Sequence, residues 1–539
     1  MNRNTDSHFG NIPTKTMRRS KFKRPFSHKL TLNTGRIVPI YRDELLPGDN
    51  VKIRVSSLVR SMTPINPTMD NAWLDIYFFA IPRRLCWTHW KEFMGENTED
   101  AWTQTTEYTI PKTTAPKDGW NKNSIAHYMG ARMNTEKIWI DSCYLRAYAI
   151  VYNEWFRNQN LTEPVAVTLG DATTAGSNGN DYVNDVEKGG ACALAVKFAD
   201  YFTRALPEPE KGDPVWIPLG GEAPIIGVAP YNTALTDDTN LHDKKISIYS
   251  YAYTPSGSQV NPDNLYGDNT RLTRDKAIGL AADLTNTTAG ATINALREAY
   301  AVQKFMETNA RSGSRYIETI RAHFGITSPD ARQQRPEYIG GARINVNMTE
   351  VVQMSETGTT PLGDTAGKSL TIDSRDMVSY ASTEHQIILG LAVLRTEHTY
   401  QQGIDRILRR QSKFDFYWPE LANLGEMPIY ESEIFAQGTA DDDDIFGYQE
   451  AWAEYRYANN RISGELNSDY AQALDSWHYG DDYSAAPQLS DAWVKETDVN
   501  MARTLAVQDQ DQFLCDFYFD QTWVRPMPVY SVPGLTGWH

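Results

Sequence analysis

The chain has 539 residues, 41% of them hydrophobic, and a formal net charge of −16. No stretch reaches the roughly 18 consecutive apolar residues of a membrane-crossing helix, and the polar, basic first residues lack the apolar segment of a secretory signal. The length allows two to four domains, or one domain with large insertions. Four scattered cysteines (Cys86, Cys143, Cys192, Cys515) without a CxxC pair argue against a zinc ribbon or a disulfide scaffold.

Charge is unevenly spread. Residues 1–36 hold nine lysines and arginines against Asp6 alone, so the rest is more acidic than the total. Residues 1–29 have no hydrophobic period and read as a basic arm on a body spanning 30–539. Within the arm, Phe22 sits among Arg18, Arg19, Lys21, Lys23 and Arg24. Such cations neutralise phosphates and such rings stack on unpaired bases, so these six are the candidate DNA contacts.

Arg36–Ile40 and Val51–Val59 are rich in β-branched residues, and Leu46-Pro47-Gly48-Asp49 between them is a turn signal. Ala72–Ile81 is a third strand, closed by Pro82. Residues 111–220 read as a helical and loop insertion. Its clearest helix is Ile138–Leu161, with Tyr144, Tyr148, Val151 and Trp155 on one face and Leu145, Tyr152 and Phe156 beside it. A short helix is expected early in Lys197–Pro218.

Residues 221–290 are rich in Asn, Thr, Asp and Gly, with one strand-like patch at Lys245–Tyr253, and predict an exposed protrusion. The helical segment 291–341 follows. Leu296, Tyr300 and Met306 recur at helical spacing, Ser312-Gly313 interrupts, and Ile317, Ile320 and Phe324 stripe a second helix that stops at Gly325. This hairpin is expected to cover one end of a sheet. Beyond it lie strands at Ala342–Ser355, Ser369–Ser382, Gln386–Thr399 and Phe513–Phe519, a short helix at Asp469–Trp477, and a proline-rich finish. Strands thus concentrate in 30–110 and 342–539, which predicts a mainly β, antiparallel sandwich.

Chemistry-bearing motifs are few. Gly363–Ser369 resembles a phosphate-binding loop but is one residue short, and the LTIDS that follows reads as strand, leaving no helix start to face a phosphate. His127, His323, His385 and His398 are scattered without a metal-ligand spacing. Asp441–Asp444 lacks the alternation and glycine of a calcium loop. No nucleophile elbow or carboxylate pair stands out, so neither an enzyme, nor a bound metal, nor a cofactor is expected. A carbohydrate-binding or cupin-like jelly roll is the alternative, but a cupin would need a clustered His/Glu set that the sequence lacks. A nucleic-acid enzyme built on Lys368 is a weaker rival.

One resemblance spans most of the chain. LREAYAVQKFMETNARSGSRYIETIRAHFGITSPDARQQRPEYIGG, TPINPTMDNAWLDIYFFAIPRRL, YLRAYAIVYNEWFRNQNL, TYQQGIDRILRRQSKFDFYWPELANLGEMPIY and EAWAEYRYANNRISGEL resemble, in order, the major capsid proteins of the Microviridae, the gokushovirus branch in particular. Segments 162–196 and 221–290 match only in position. The resemblance implies an eight-stranded antiparallel jelly roll with long insertions. It implies sixty copies in a T=1 icosahedral shell around circular single-stranded DNA, with no enzymatic role. It places the 221–290 insertion in protrusions at the three-fold axes, used in host attachment. Expected partners are further copies of the chain, the genome, a small basic DNA-binding protein, an internal scaffolding protein, a pilot protein and a host cell-surface receptor. Localisation would be the virion, assembled in the bacterial cytoplasm. Removing residues 1–29 is expected to spare the fold and weaken packaging.

Overall fold

The structure is a computed structural model that describes residues 18–98, 106–213, 215, 225–230, 278–282, 293–352, 354 and 365–531. The chain divides into two compact units, Met1–Lys211 with Glu307–His539, and Gly212–Met306.

The larger unit is built on two antiparallel sheets. Its long strands, in chain order, are β1 (Ser20–Lys23), β2 (Phe26–Leu32), β3 (Val38–Leu45), β4 (Asn50–Ser61), β5 (Ala72–Pro82), β6 (Glu337–Val346), β7 (Thr371–Ala381), β8 (Gln386–Thr396) and β9 (Phe513–Arg525). The first sheet runs β1-β9-β4-β7, with β2 sharing the same edge of β9 as β1. The second runs β6-β5-β8-β3. The turn between β3 and β4 forms as its residues predict: Asp49 donates its N–H to the Leu46 carbonyl at 3.0 Å, and Gly48 takes φ +89°.

Side-chain alternation assigns the faces. On β4, Val51, Ile53, Val55 and Val59 are buried while Lys52, Arg54 and Arg60 are exposed. On β9, Phe513, Cys515, Phe517, Phe519 and Trp523 are buried. These meet Phe78 through Tyr41, whose ring lies 5.7 Å from Phe78 and 5.0 Å from Phe519. Gly390 on β8 is required here, because a Cβ would stand 2.8 Å from both the Phe78 ring and Tyr41 Cβ.

The central strands of the second sheet, β5 and β8, are buried on both faces. Helix α1 (Ser142–Val151) lies in the insertion, capped by the Asp141 carboxylate, which accepts from the Cys143 N–H at 2.9 Å. It continues as one π-helical turn, Tyr152–Phe156, and ends where Arg157 turns extended. The helix is therefore shorter than the expected Ile138–Leu161. Trp139–Asp141 pairs instead with Lys112–Thr114, and the Asp141 cap sets the start. The aromatic turn packs on β5, with Phe156 5.3 Å from Tyr77 and Trp155 5.5 Å from Phe79.

Other expectations need correction. Residues 18–29 are not a free arm: β1 and β2 hydrogen-bond along β9, with Phe22 opposite Trp523 and Lys29 opposite Asp516. Residues 1–17 lie outside the described residues. No helix forms in Lys197–Pro218 as far as it is described, because the Asp200 carboxylate captures the Phe202 and Thr203 N–H groups in a local turn. Asp469–Trp477 yields turns and one 3₁₀ turn, Asp475–Trp477.

Helices α2 (Ile293–Ser312) and α3 (Tyr316–Phe324) follow the expected bounds, with Gly313 at φ +92° and Gly325 at φ +69°. The expected burial of their stripes does not occur: α3 buries no residue and α2 buries Ala310 alone. Leu296, Met306, Ile317 and Ile320 are half-buried while Tyr300 and Phe324 are exposed, and α3 is moored by Arg315, which donates to the carbonyls of Asn153 at 2.8 Å and Arg157 at 3.1 Å. In the smaller unit, Ile225–Pro230 pairs antiparallel with Ile278–Ala282. Most of the expected protrusion, including Lys245–Tyr253, lies outside the described residues.

Candidate nucleic-acid interface

The six residues singled out in the arm divide by strand geometry. In β1, alternate side chains leave opposite faces of the sheet, so Lys21 and Lys23 point outward while Phe22 packs against the core beside Trp523. Phe22 is thus an anchor of the edge strand, its ring half-buried against the core. Arg24 is also engaged. It pairs with Asp43 at 2.9 Å and its guanidinium lies 5.3 Å from the Trp523 ring. Burial raises the Asp43 carboxyl above its usual range, although Arg24 and Arg525 pull the other way. Arg18 and Arg19 are exposed at the start of the described chain.

The structure extends the cationic set beyond the arm. The cross-strand register lines up Lys23, Thr522, Lys52 and Ser379 in one row across β1, β9, β4 and β7, and Leu514 with Arg60 in another. Between them lie Tyr518 beside Ser56, and Asp520 beside Arg54. Arg54 approaches Asp376 at 3.9 Å and Lys29 approaches Asp516 at 3.3 Å. Among the described residues, Lys21, Lys23, Lys52 and Arg60 have no carboxylate partner. The result is a solvent-facing sheet surface with free cations, an exposed tyrosine and exposed Leu514 and Ile372. A cleft of about 700 Å³ borders it, lined by Lys29, Leu30, Lys122, His127, Tyr128 and Leu514. Lys52, Arg54 and Arg60 lie outside the arm but are legible in the alternation of VKIRVSSLVR, which puts every second side chain on the solvent face.

The remaining candidates have structural roles. Thr365–Ser369 pairs as a strand with Met348–Val352, and β7 follows it, so the near-match to a phosphate loop opens no helix. Asp442 accepts from the N–H groups of Gln437 at 2.7 Å and Gly438 at 2.9 Å, closing a turn. All four cysteines are free and buried, and burial pushes the thiols of Cys86, Cys192 and Cys515 up to about 12. His398 is clamped between Asp481, 3.0 Å from Nδ1, and Glu496, 2.8 Å from Nε2. Burial opposes its protonation, but the two carboxylates outweigh that and raise it to about 9. Among the described residues, no three His, Cys, Asp or Glu side chains group to hold a metal ion, and no helix is long and apolar enough to cross a membrane.

Two antiparallel sheets, a cationic outer face and no grouped reactive side chains fit a structural protein. The comparison with known sequences makes the class definite: residues 10–535 match the family described as Capsid protein (F protein), and the chain belongs to that family. Its relatives include Capsid protein VP1 of Spiroplasma virus 4, 39% identical over 96% of this chain and 95% of that one. Capsid protein VP1 of Bdellovibrio phage phiMH2K is 36% identical over 99% of each chain. That of Chlamydia phage 1 is 35% identical over 98% of this chain and 97% of its own. All three are proteins of Microviridae phages. The protein is a non-enzymatic phage capsid subunit and a component of the virion.

Proposed function

We propose that sixty copies of this chain close into a T=1 icosahedral shell of the gokushovirus type around circular single-stranded DNA, assembled in the host cytoplasm. The observation that carries this reading is the strand topology. With β1 and β2 counted as one interrupted strand, successive strands fall in the first, second, first, second, second, first, second and first sheets. That order supports an eight-stranded jelly roll, a fold that packs its strands in a double sheet and leaves loops free to elaborate.

The outer face of the first sheet, with Lys21, Lys23, Lys52 and Arg60, faces the genome, and the basic residues of the N-terminal segment add to its positive charge. Bases stack on Tyr518, and the lysines and arginines neutralise phosphates. Since this face is small against a whole genome, a separate basic DNA-binding protein shares the task. Scaffolding and pilot proteins act in assembly and delivery, and the 221–290 insertion forms three-fold protrusions that meet a host receptor.

Electron microscopy of the purified protein, with nuclease protection of co-purified nucleic acid, tests this. Closed spheres holding protected single-stranded DNA are expected. A protein that stays a single subunit under all assembly conditions contradicts the reading.

A further inference from the structure

Between β8 and the hairpin of Glu426–Tyr430 with Ile445–Glu450, the chain passes through isolated 3₁₀ turns and no strand. Along this passage Leu408, Phe414 and Trp418 are 76%, 62% and 48% exposed, with Phe416 and Tyr417 exposed beside them. So many apolar and aromatic side chains clustered on one surface segment mark an interaction site.

The segment is held in shape from behind. Arg410, with its side chain only 8% exposed, donates to Glu454 at 3.0 Å. Its guanidinium lies 5.1 Å from the Phe416 ring and 4.5 Å from that of Tyr455. Asp415 accepts from the Ser412 N–H at 2.6 Å, and Trp418 Nε1 donates to the Lys413 carbonyl at 2.7 Å. The Tyr417 ring stands 5.8 Å from Trp452, whose Nε1 donates to the Leu421 carbonyl at 2.9 Å. The aromatic surface is therefore formed before any partner arrives, which lowers the ordering cost of docking.

The chemistry selects a protein partner over a nucleic acid. Arg406 donates to the Pro428 carbonyl at 2.6 Å, Arg409 reaches Asp443 at 3.0 Å, and Arg410 is bound to Glu454. These guanidinium groups serve the chain itself, and what remains outward is aromatic and aliphatic. Trp, Tyr, Phe and Arg are the residue types that dominate protein interfaces. The surface left to a partner is therefore apolar, and because the chain belongs to a capsid family, which implies assembly of many copies into a shell, a second copy of the same chain is the partner that fits it.

We propose that 404–418 is a subunit contact that docks on a neighbouring copy of this chain, with Phe414 and Trp418 as its anchors. The proposal rests on the shell reading and adds to it a particular surface. The test uses Leu408→Cys in the full chain, since the four native cysteines are buried and a thiol at this site is open to a maleimide probe. Free subunits should label rapidly, and assembled shells at least ten-fold more slowly. Equal labelling in shells and subunits overturns the contact and leaves the shell reading standing. Protection of free subunits by a single-stranded oligonucleotide, without assembly, assigns the surface to nucleic acid and also overturns it. A wild-type chain that never forms shells brings down the shell reading and this contact together. As a second arm, Trp418→Ser should cut shell yield at least ten-fold with an unchanged subunit Tm, and wild-type yield would refute the proposal.

Discussion

On β4 every second side chain reaches solvent over much of its length, whereas β8 is buried along nearly its whole length. The two strands belong to different sheets of one sandwich and share its core. Their outer faces differ because the insertion with α1 and Tyr152–Phe156 covers the second sheet and leaves the first sheet bare. A sheet face that a protein leaves uncovered, and studs with Lys52, Arg54 and Arg60, is available for a polyanion. One that it seals with Trp155 and Phe156 serves stability.

The largest effect that would sharpen this contrast is on the sealed side. Phe79→Ala empties the space against Trp155, Phe156 and Tyr338 and should cost about 3–5 kcal/mol in urea unfolding. On the bare side Tyr518→Ala should stay within about 0.5 kcal/mol. Equal costs would erase the distinction.

Next comes the buried clamp at the end of the second sheet. His398 rises from an ordinary 6.5 to about 9 in the folded chain. Its contribution is fully present below pH 6.5 and is lost as the pH climbs through about 9, a decline on the order of 3 kcal/mol. Its partner Asp481 is held below its usual range, chiefly because His398 outweighs the effect of burial. That contribution is present above about pH 4 and is lost on acidification. In His398→Leu the alkaline decline should disappear from the stability profile.

A smaller effect separates the arm from the edge strands. Removing residues 1–17 should leave the melting temperature unchanged and weaken DNA packaging. Removing 1–29 strips β1 and half of β2 from β9 and should lower the melting temperature as well. Identical melting of the two truncations would contradict the pairing seen here.

The smallest structural effect is at the bare face itself. Lys52→Ala and Arg60→Ala should each leave stability within about 0.5 kcal/mol. Each should also flatten the log–log salt dependence of single-strand binding by about 0.7 per lost phosphate contact. Arg24→Ala should do the reverse: destabilise the chain by leaving half-buried Asp43 without its ion pair, and leave that slope unchanged.

These cases also explain what could be read from residues alone. Val51–Val59 and Gln386–Thr399 read as strands from their β-branched and apolar residues, and both form, as Asn50–Ser61 and Gln386–Thr396. Glycine at a left-handed position ends α3 at Gly325 as its sequence indicates. What escaped was set by partners distant in sequence. SKFK has no strand signature of its own, and it becomes one because Thr522–Arg525 offers an unpaired edge. Arg24 looks like a phosphate ligand until Asp43 is brought beside it. The stripe on α3 reads as a core face, yet none of its residues is buried within this chain.

The most direct test of the account is a residue-level electron cryomicroscopy map of particles assembled from this chain. The account predicts a closed shell whose interior is lined by the outer face of the first sheet, with density for nucleic acid against Lys52, Arg60 and Tyr518. A shell in which that face points outward, or is buried between subunits away from the genome, would contradict it.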